Sequence, residues 1–205
     1  MVRNHGKKGE ARLQQIIDVT LGLVITYGVS GTTMARIACE AGLTKASLYE
    51  YFPSRHEILL AALESVFESV FEVHRSSSRA DALERLRDIG GRHTQLITTE
   101  DRPYMYALVE FIAAPPEEGL RHAVGEKQMA AALDLATIVE EGKSQGTIKG
   151  DVDSLQVGWM IAGWAWTESI SHLIGEAGFW NAKRSAGMLD LLLLGISTKA
   201  TASQE

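Results

Sequence analysis

The chain has 205 residues, 45% of them hydrophobic, and a formal net charge of −6. That length gives one or two compact domains with a sizeable core, and the ordinary apolar fraction excludes a fibrous or unfolded chain. A single cysteine, Cys39, excludes an internal disulfide framework and suits a reducing compartment. The opening MVRNHGKKGEARLQ is basic but lacks the apolar run of a secretory signal. Leu155 to Ile174 has the length of a bilayer span, yet Gln156, Glu168 and His172 would be costly there. The expectation is a soluble, cytoplasmic protein with no membrane partner.

Four prolines and no alternating strand pattern make the chain all-α, with about nine helices. Helix 1 runs from about Gly9 to Tyr27, with Leu13, Ile16, Ile17, Thr20, Leu21 and Val24 facing inward. Thr33 caps a short helix from Met34 to about Glu40, whose apolar side is Ile37 and Ala38 and on which Cys39 is expected to pack. Ala41-Gly42-Leu43 then supplies a small residue, a turn residue free to take positive φ, and an apolar anchor. Thr44 caps the next helix, Lys45 to Phe52, in which Leu48 and Phe52 share the inward face. Ala46, Ser47, Tyr49 and Glu50 are left outward. Ser54 and Glu57 form a capping box for helix 4, which runs towards Arg75. Together these residues outline a helix-turn-helix, a device for laying one helix in the major groove of DNA.

The segment from Gly28 through Leu59 resembles the DNA-binding domain of the TetR family of bacterial transcriptional regulators. The features that carry the resemblance are Gly28, Thr32-Thr33, Ile37-Ala38, Ala41-Gly42-Leu43, Leu48-Tyr49-x-Tyr51-Phe52 and the basic Arg55. Ala46, Thr44 and Pro53 depart from the family's common choices. The resemblance implies an N-terminal three-helix DNA-binding domain, residues 1–53, and a C-terminal helical ligand-binding and dimerisation domain, residues 54–205. The expected DNA-contacting set is Thr33, Arg36, Thr44, Lys45, Ala46, Ser47, Tyr49, Tyr51 and Arg55. Of these, Thr33, Tyr51 and Arg55 are expected on phosphates, and Lys45, Ala46, Ser47 and Tyr49 on base edges. Charge is partitioned to match: residues 1–60 hold seven Lys/Arg against five Asp/Glu, and the remainder thirteen against twenty-one. Phosphate contact needs a local basic surface, not a basic protein.

The remaining helices read as helix 5 over about 80–97, helix 6 over 102–114, helix 7 over 118–145, helix 8 from an Asp153/Gln156 cap to about 175, and helix 9 from Trp180 or Asn181 to Ser197. Helices 8 and 9 are apolar around nearly their whole circumference, a pattern with no face for water. The choice is between two central core helices of a monomer and a two-fold partner; the dimer reading places Trp164, Met188, Leu192, Leu193 and Ile196 in the interface. The resemblance implies such a dimer independently, and two recognition helices about 34–36 Å apart read a palindromic operator in double-stranded DNA. The resemblance also implies a pocket for a small-molecule effector. Its expected lining is Phe67, Phe71, His74, His93, Tyr104, Leu108, Phe111, Met129, Leu133, Trp159 and Trp166, against the alternative that these stripes are ordinary core.

Enzyme readings find little support. His122 and Glu126 are four apart but lack a third ligand, so no metal is expected. Ser169, Ser171 and His172 are neighbours in sequence, which does not make a nucleophile and base. There is no phosphate-binding glycine loop, and no cofactor is expected. The reading is a non-enzymatic, ligand-responsive regulator, a repressor that binds its operator as a dimer and is released by a small, mostly apolar ligand. The alternative is a helical carrier protein that does not use its helix-turn-helix for DNA.

Overall fold

The computed structural model describes residues 7–98, 104–175 and 181–201. Within them lie nine α-helices: α1 (Lys7–Gly31), α2 (Met34–Glu40), α3 (Lys45–Tyr51), α4 (Arg55–Ser76), α5 (Ala82–Thr98), α6 (Tyr104–Ala113), α7 (Leu120–Ser144), α8 (Ser154–Leu173) and α9 (Ala182–Ile196). No strand occurs among the described residues; one isolated bridge joins Ile148 to Ser197. The expected ends of helix 6 at Arg102 and of helix 9 at Trp180 fall outside the described residues.

The caps act where the sequence placed them. Thr33 accepts from the Arg36 N–H (3.3 Å), Thr44 from Ser47 (3.1 Å) and Ser54 from Glu57 (3.2 Å). Asp153 accepts from Gln156 (2.8 Å), and Asn181, which the sequence did not single out as a cap, accepts from Arg184 (3.1 Å). Each satisfies one of the N–H groups that the first helical turn leaves without a partner. Helix 7 starts later than expected, because Pro116–Glu118 forms a separate 3-10 turn that ends at Gly119. In α1 the helical geometry breaks at Gly28 (φ 69°, ψ 172°), and the chain then leads into α2.

The chain folds as two compact units, Met1–Glu68 with Pro103–Gly125, and Ser69–Arg102 with Glu126–Glu205. The division falls inside α4 and α7. In the first unit, α1 turns Ile16, Ile17, Thr20, Leu21 and Val24 into a core completed by Ile37, Leu48, Phe52, Ile58, Leu63 and Phe111. By length and composition α1 could cross a bilayer, but its apolar face is packed into this core. In the second unit, α5, α8 and α9 close on Leu86, Ile89, Leu135, Val139, Ile161, Trp164, Leu189 and Leu193. At Gly158 of α8 a Cβ would lie 2.2 Å from the Ala132 carbonyl oxygen of α7, so the two helices meet backbone to backbone there.

Candidate nucleic-acid interface and effector region

The turn between α2 and α3 depends on one residue. Gly42 sits at φ +64°, in the left-handed region that L side chains avoid. The Leu43 N–H then reaches back to the Ala38 carbonyl (2.8 Å), which closes the end of α2. α3 is held from behind by Leu48 and Phe52, both buried. Its other face carries Lys45, Ala46, Tyr49 and Glu50, all exposed, with Tyr49 at 52%. A seven-residue helix owes its stability to such anchors, since isolated helices of this length are marginal. The result is a rigid mount with an outward face of one cation, one small apolar group, one aromatic hydroxyl and one carboxylate.

The other expected DNA residues divide. Thr33 and Thr44 are exposed N-caps, and Ser47 is half-buried, 3.0 Å from the Thr44 hydroxyl. Arg36 is exposed and lies 4.2 Å over the Tyr27 ring, a cation–π contact that holds its guanidinium at the α1–α2 corner. Tyr51 is half-buried.

Arg55 is a correction. Its Nη1 forms two bonds to the Glu118 carboxylate (2.8 and 3.0 Å), its Nε donates to the Thr32 carbonyl (2.6 Å), and its Nη2 donates to the Val29 carbonyl. The fork is thus engaged inside the first unit and ties the start of α4 to the α1–α2 corner and to the 3-10 turn. The planar guanidinium matches a carboxylate in a way that Lys cannot. Arg55→Ala should therefore cost about 2–3 kcal/mol, the range for charge-assisted bonds, and leave the salt dependence of DNA binding unchanged. A slope lower by about one would instead return Arg55 to a phosphate. Cys39 is a second correction: it is exposed. Two residues after Ile37 on a helix, it turns to the opposite side.

The expected effector lining is drawn from both compact units. Phe67, Leu108 and Phe111 are buried in the first unit. Met129, Leu133 and Trp159 are exposed, so they do not enclose a ligand within the chain. The Tyr104 side chain lies outside the described residues. Trp166 is half-buried and donates to Gln128 Oε1 (2.6 Å), while Phe71 stands edge-on to His74 with centroids 6.2 Å apart. His93 and His74 enter a polar cluster that sequence reasoning did not assemble. Its other member is Glu168 of α8, 2% exposed, whose Oε1 accepts from the Thr94 hydroxyl (2.8 Å). His93 Nε2 lies 3.2 Å from the Ala165 carbonyl and 3.3 Å from Ser169 Oγ. A carbonyl only accepts, so that nitrogen carries the proton. Burial pushes both imidazoles below the usual histidine range, and each is partly restored by a carboxylate, Glu168 for His93 and Asp134 for His74.

The expected interface residues also divide. Trp164 is 7% exposed and its indole N–H donates to the Ser185 carbonyl (3.1 Å); Leu193 and Ile196 are likewise buried. These three pack in the chain's own core. Leu192 is half-buried and Met188 exposed. The uncovered apolar face consists of Leu155, Trp159 and Met160 on α8, and Met188, Leu191 and Leu194 on α9, with Leu191 72% exposed. An all-round apolar helix gives no phase to the sequence reading, so the expected set mixes the inward Trp164, Leu193 and Ile196 with the outward Met188.

Residues 16–62 match the model of the bacterial regulatory proteins of the tetR family. The chain is 27% identical to the HTH-type transcriptional regulator SrpR of Pseudomonas putida over 73% of its own length and 78% of the relative's. It shares the fold of the transcriptional regulator FadR of Bacillus subtilis in complex with stearoyl-CoA, with a TM-score of 0.75 and 23% identity over 89% of this chain and 98% of that one. It shares the fold equally with a complex of SmeT and triclosan, with a TM-score of 0.76 and 18% identity over 92% of each chain. SmeT is the repressor of a Stenotrophomonas maltophilia multidrug efflux pump.

Proposed function

We infer that this chain, whose residues 16–62 match the model of the bacterial regulatory proteins of the tetR family, is a ligand-responsive DNA-binding transcriptional repressor that docks α3 in the major groove of a palindromic operator. The observation that carries the reading is the mount of α3: two buried anchors behind, and Lys45, Ala46 and Tyr49 in front, after the Gly42 turn. Lys45 is suited to guanine O6 and N7, and Ala46 or Tyr49 to a thymine methyl. Thr33 and Thr44 bring helix N-termini whose N–H groups suit phosphate oxygens. The protein acts in the cytoplasm, where its DNA is. Anisotropy of labelled DNA from upstream of its own gene, measured at two salt concentrations, tests this. Saturable binding that weakens steeply with salt is expected. Absence of any binding would favour the carrier reading.

The repressor works as a homodimer through the apolar faces of α8 and α9. Leu155, Trp159 and Met160 on α8 and Leu191 and Leu194 on α9 are all exposed; large apolar side chains left uncovered in such number mark an interaction face, and a two-fold partner covers them most simply. The double substitution Leu191→Glu, Leu194→Glu should give a folded monomer in sedimentation and abolish tight operator binding. Leu193→Glu, on the buried side of the same helix, should unfold the protein instead.

A small, mostly apolar effector binds in the helical part beyond the head and releases the DNA. α4, whose residues fall in both compact units, is the physical link. To switch the protein, the effector must favour the DNA-incompetent state by a few kcal/mol. No catalytic role is assigned to any residue.

A further inference from the structure

The polar cluster around Glu168 takes no part in DNA contact or in the outer faces of α8 and α9. Glu168 is 2% exposed; its Oε1 accepts from Thr94, but its Oε2 has no hydrogen-bond donor. The nearest base, His93 Nε2, is 3.8 Å from that oxygen, beyond hydrogen-bond reach, and its proton is directed to the Ala165 carbonyl. His74 Nδ1 is a second enclosed atom without a partner, 3.7 Å from Asp134 Oδ2. Native interiors leave few polar atoms unmatched, and a buried carboxylate oxygen is among the most costly to leave so. Burial holds both imidazoles below the usual histidine range, which disfavours their charged forms. Around the cluster stand the Trp164 ring, 5.9 Å from that of His93, and the Phe71 ring beside His74.

We propose that Glu168 Oε2 is the anchoring acceptor of the effector site, and that the effector is an apolar molecule whose head group is a protonated amine. The proposal rests on the reading of the chain as a ligand-responsive regulator. An ammonium has three donors and no acceptor, which matches an unmatched atom, Glu168 Oε2, that only accepts. Its charge pairs with the carboxylate in a medium where such pairing is strong, and aromatic faces suit a desolvated cation. A hydroxyl head satisfies the oxygen without neutralising it. A carboxylate head meets like charge at close range and is excluded from this point.

The test is calorimetric titration of the full-length protein at neutral pH with three probes of equal chain length: octylamine, octanol and octanoate. Octylamine should bind at least about tenfold more tightly than octanoate, with octanol between, because the amine forms a charge-assisted bond where the carboxylate meets repulsion. Glu168→Gln, which keeps shape and removes charge, should bring octylamine level with octanol. Thr94→Val should preserve the ranking, since it leaves the carboxylate in place. The proposal is overturned if octanoate binds as well as octylamine, if none of the three binds, or if folded Glu168→Gln keeps the amine preference. If that variant does not fold, the ranking in the unsubstituted protein decides alone. Anisotropy on the upstream DNA separates this from the parent reading. Octylamine that binds without releasing DNA supports the Glu168 site and removes its regulatory use. A protein that binds DNA and ignores octylamine keeps the regulator and removes the site.

Discussion

The Lys45→Ala, Tyr49→Ala protein should lose about a hundredfold or more in operator affinity while remaining folded and dimeric. Both side chains are exposed on the outer face of α3, and neither contributes to the core that Leu48 and Phe52 complete. Their removal therefore leaves the mount intact, so the unfolding midpoint should move by less than about 2 °C, as for surface substitutions away from special features. Each base contact in the major groove discriminates by about 1–3 kcal/mol, and two together give the expected loss. Comparison of operator with unrelated DNA then locates the contacts. A loss confined to the operator places Lys45 on a base edge; an equal loss on both, with the salt slope lower by about one, places it on a phosphate. Unchanged operator binding would remove α3 from the DNA altogether.

The head was legible because its determinants are local. Thr33, Gly42 and Thr44 each act on residues within five positions, through caps and a left-handed turn that sequence spacing reveals directly. What escaped the sequence are pairs brought together from afar. Arg55 is a basic residue just past the recognition helix, and only Glu118, 63 positions later, shows that its fork is already engaged. Glu168 meets Thr94 across 74 positions, and no periodicity announces a carboxylate on the buried side of an apolar helix. The Leu191–Leu194 run is a third kind of case. Four successive leucines mark α9 as apolar without saying which of them face inward. The structure settles that Leu193 is core and Leu191 is surface, because α5 covers one side only.

The same dependence on distant packing makes one glycine decisive. Gly158→Ala should destabilise the protein by about 3 kcal/mol, a fall of roughly 6–12 °C in the unfolding midpoint for a chain of this size. On an exposed helix the exchange of Gly for Ala is favourable by up to about 1 kcal/mol, so the sign here is set entirely by space. The new methyl would lie 2.2 Å from the Ala132 carbonyl oxygen and 3.2 Å from the Ala136 nitrogen. Both are backbone atoms of α7, and no rotamer change can clear them; α7 and α8 must separate, loosening Ala136, Val157 and Ile161 around them. Gly90 offers a contrast. There the obstacles are Leu189 Cδ2 at 2.2 Å and the Trp164 ring at 3.2 Å, side chains that yield more readily. Gly91→Ala, with nothing within 4 Å, should instead gain stability. Thermal unfolding of the three single variants checks the order 158, then 90, then 91 from most to least damaging. A neutral Gly158→Ala would mean that α7 and α8 are not in backbone contact. Because Glu168 lies further along α8 on the same helix, the operator affinity of folded Gly158→Ala should change less than its response to octylamine, which separates damage to the effector region from damage to the head.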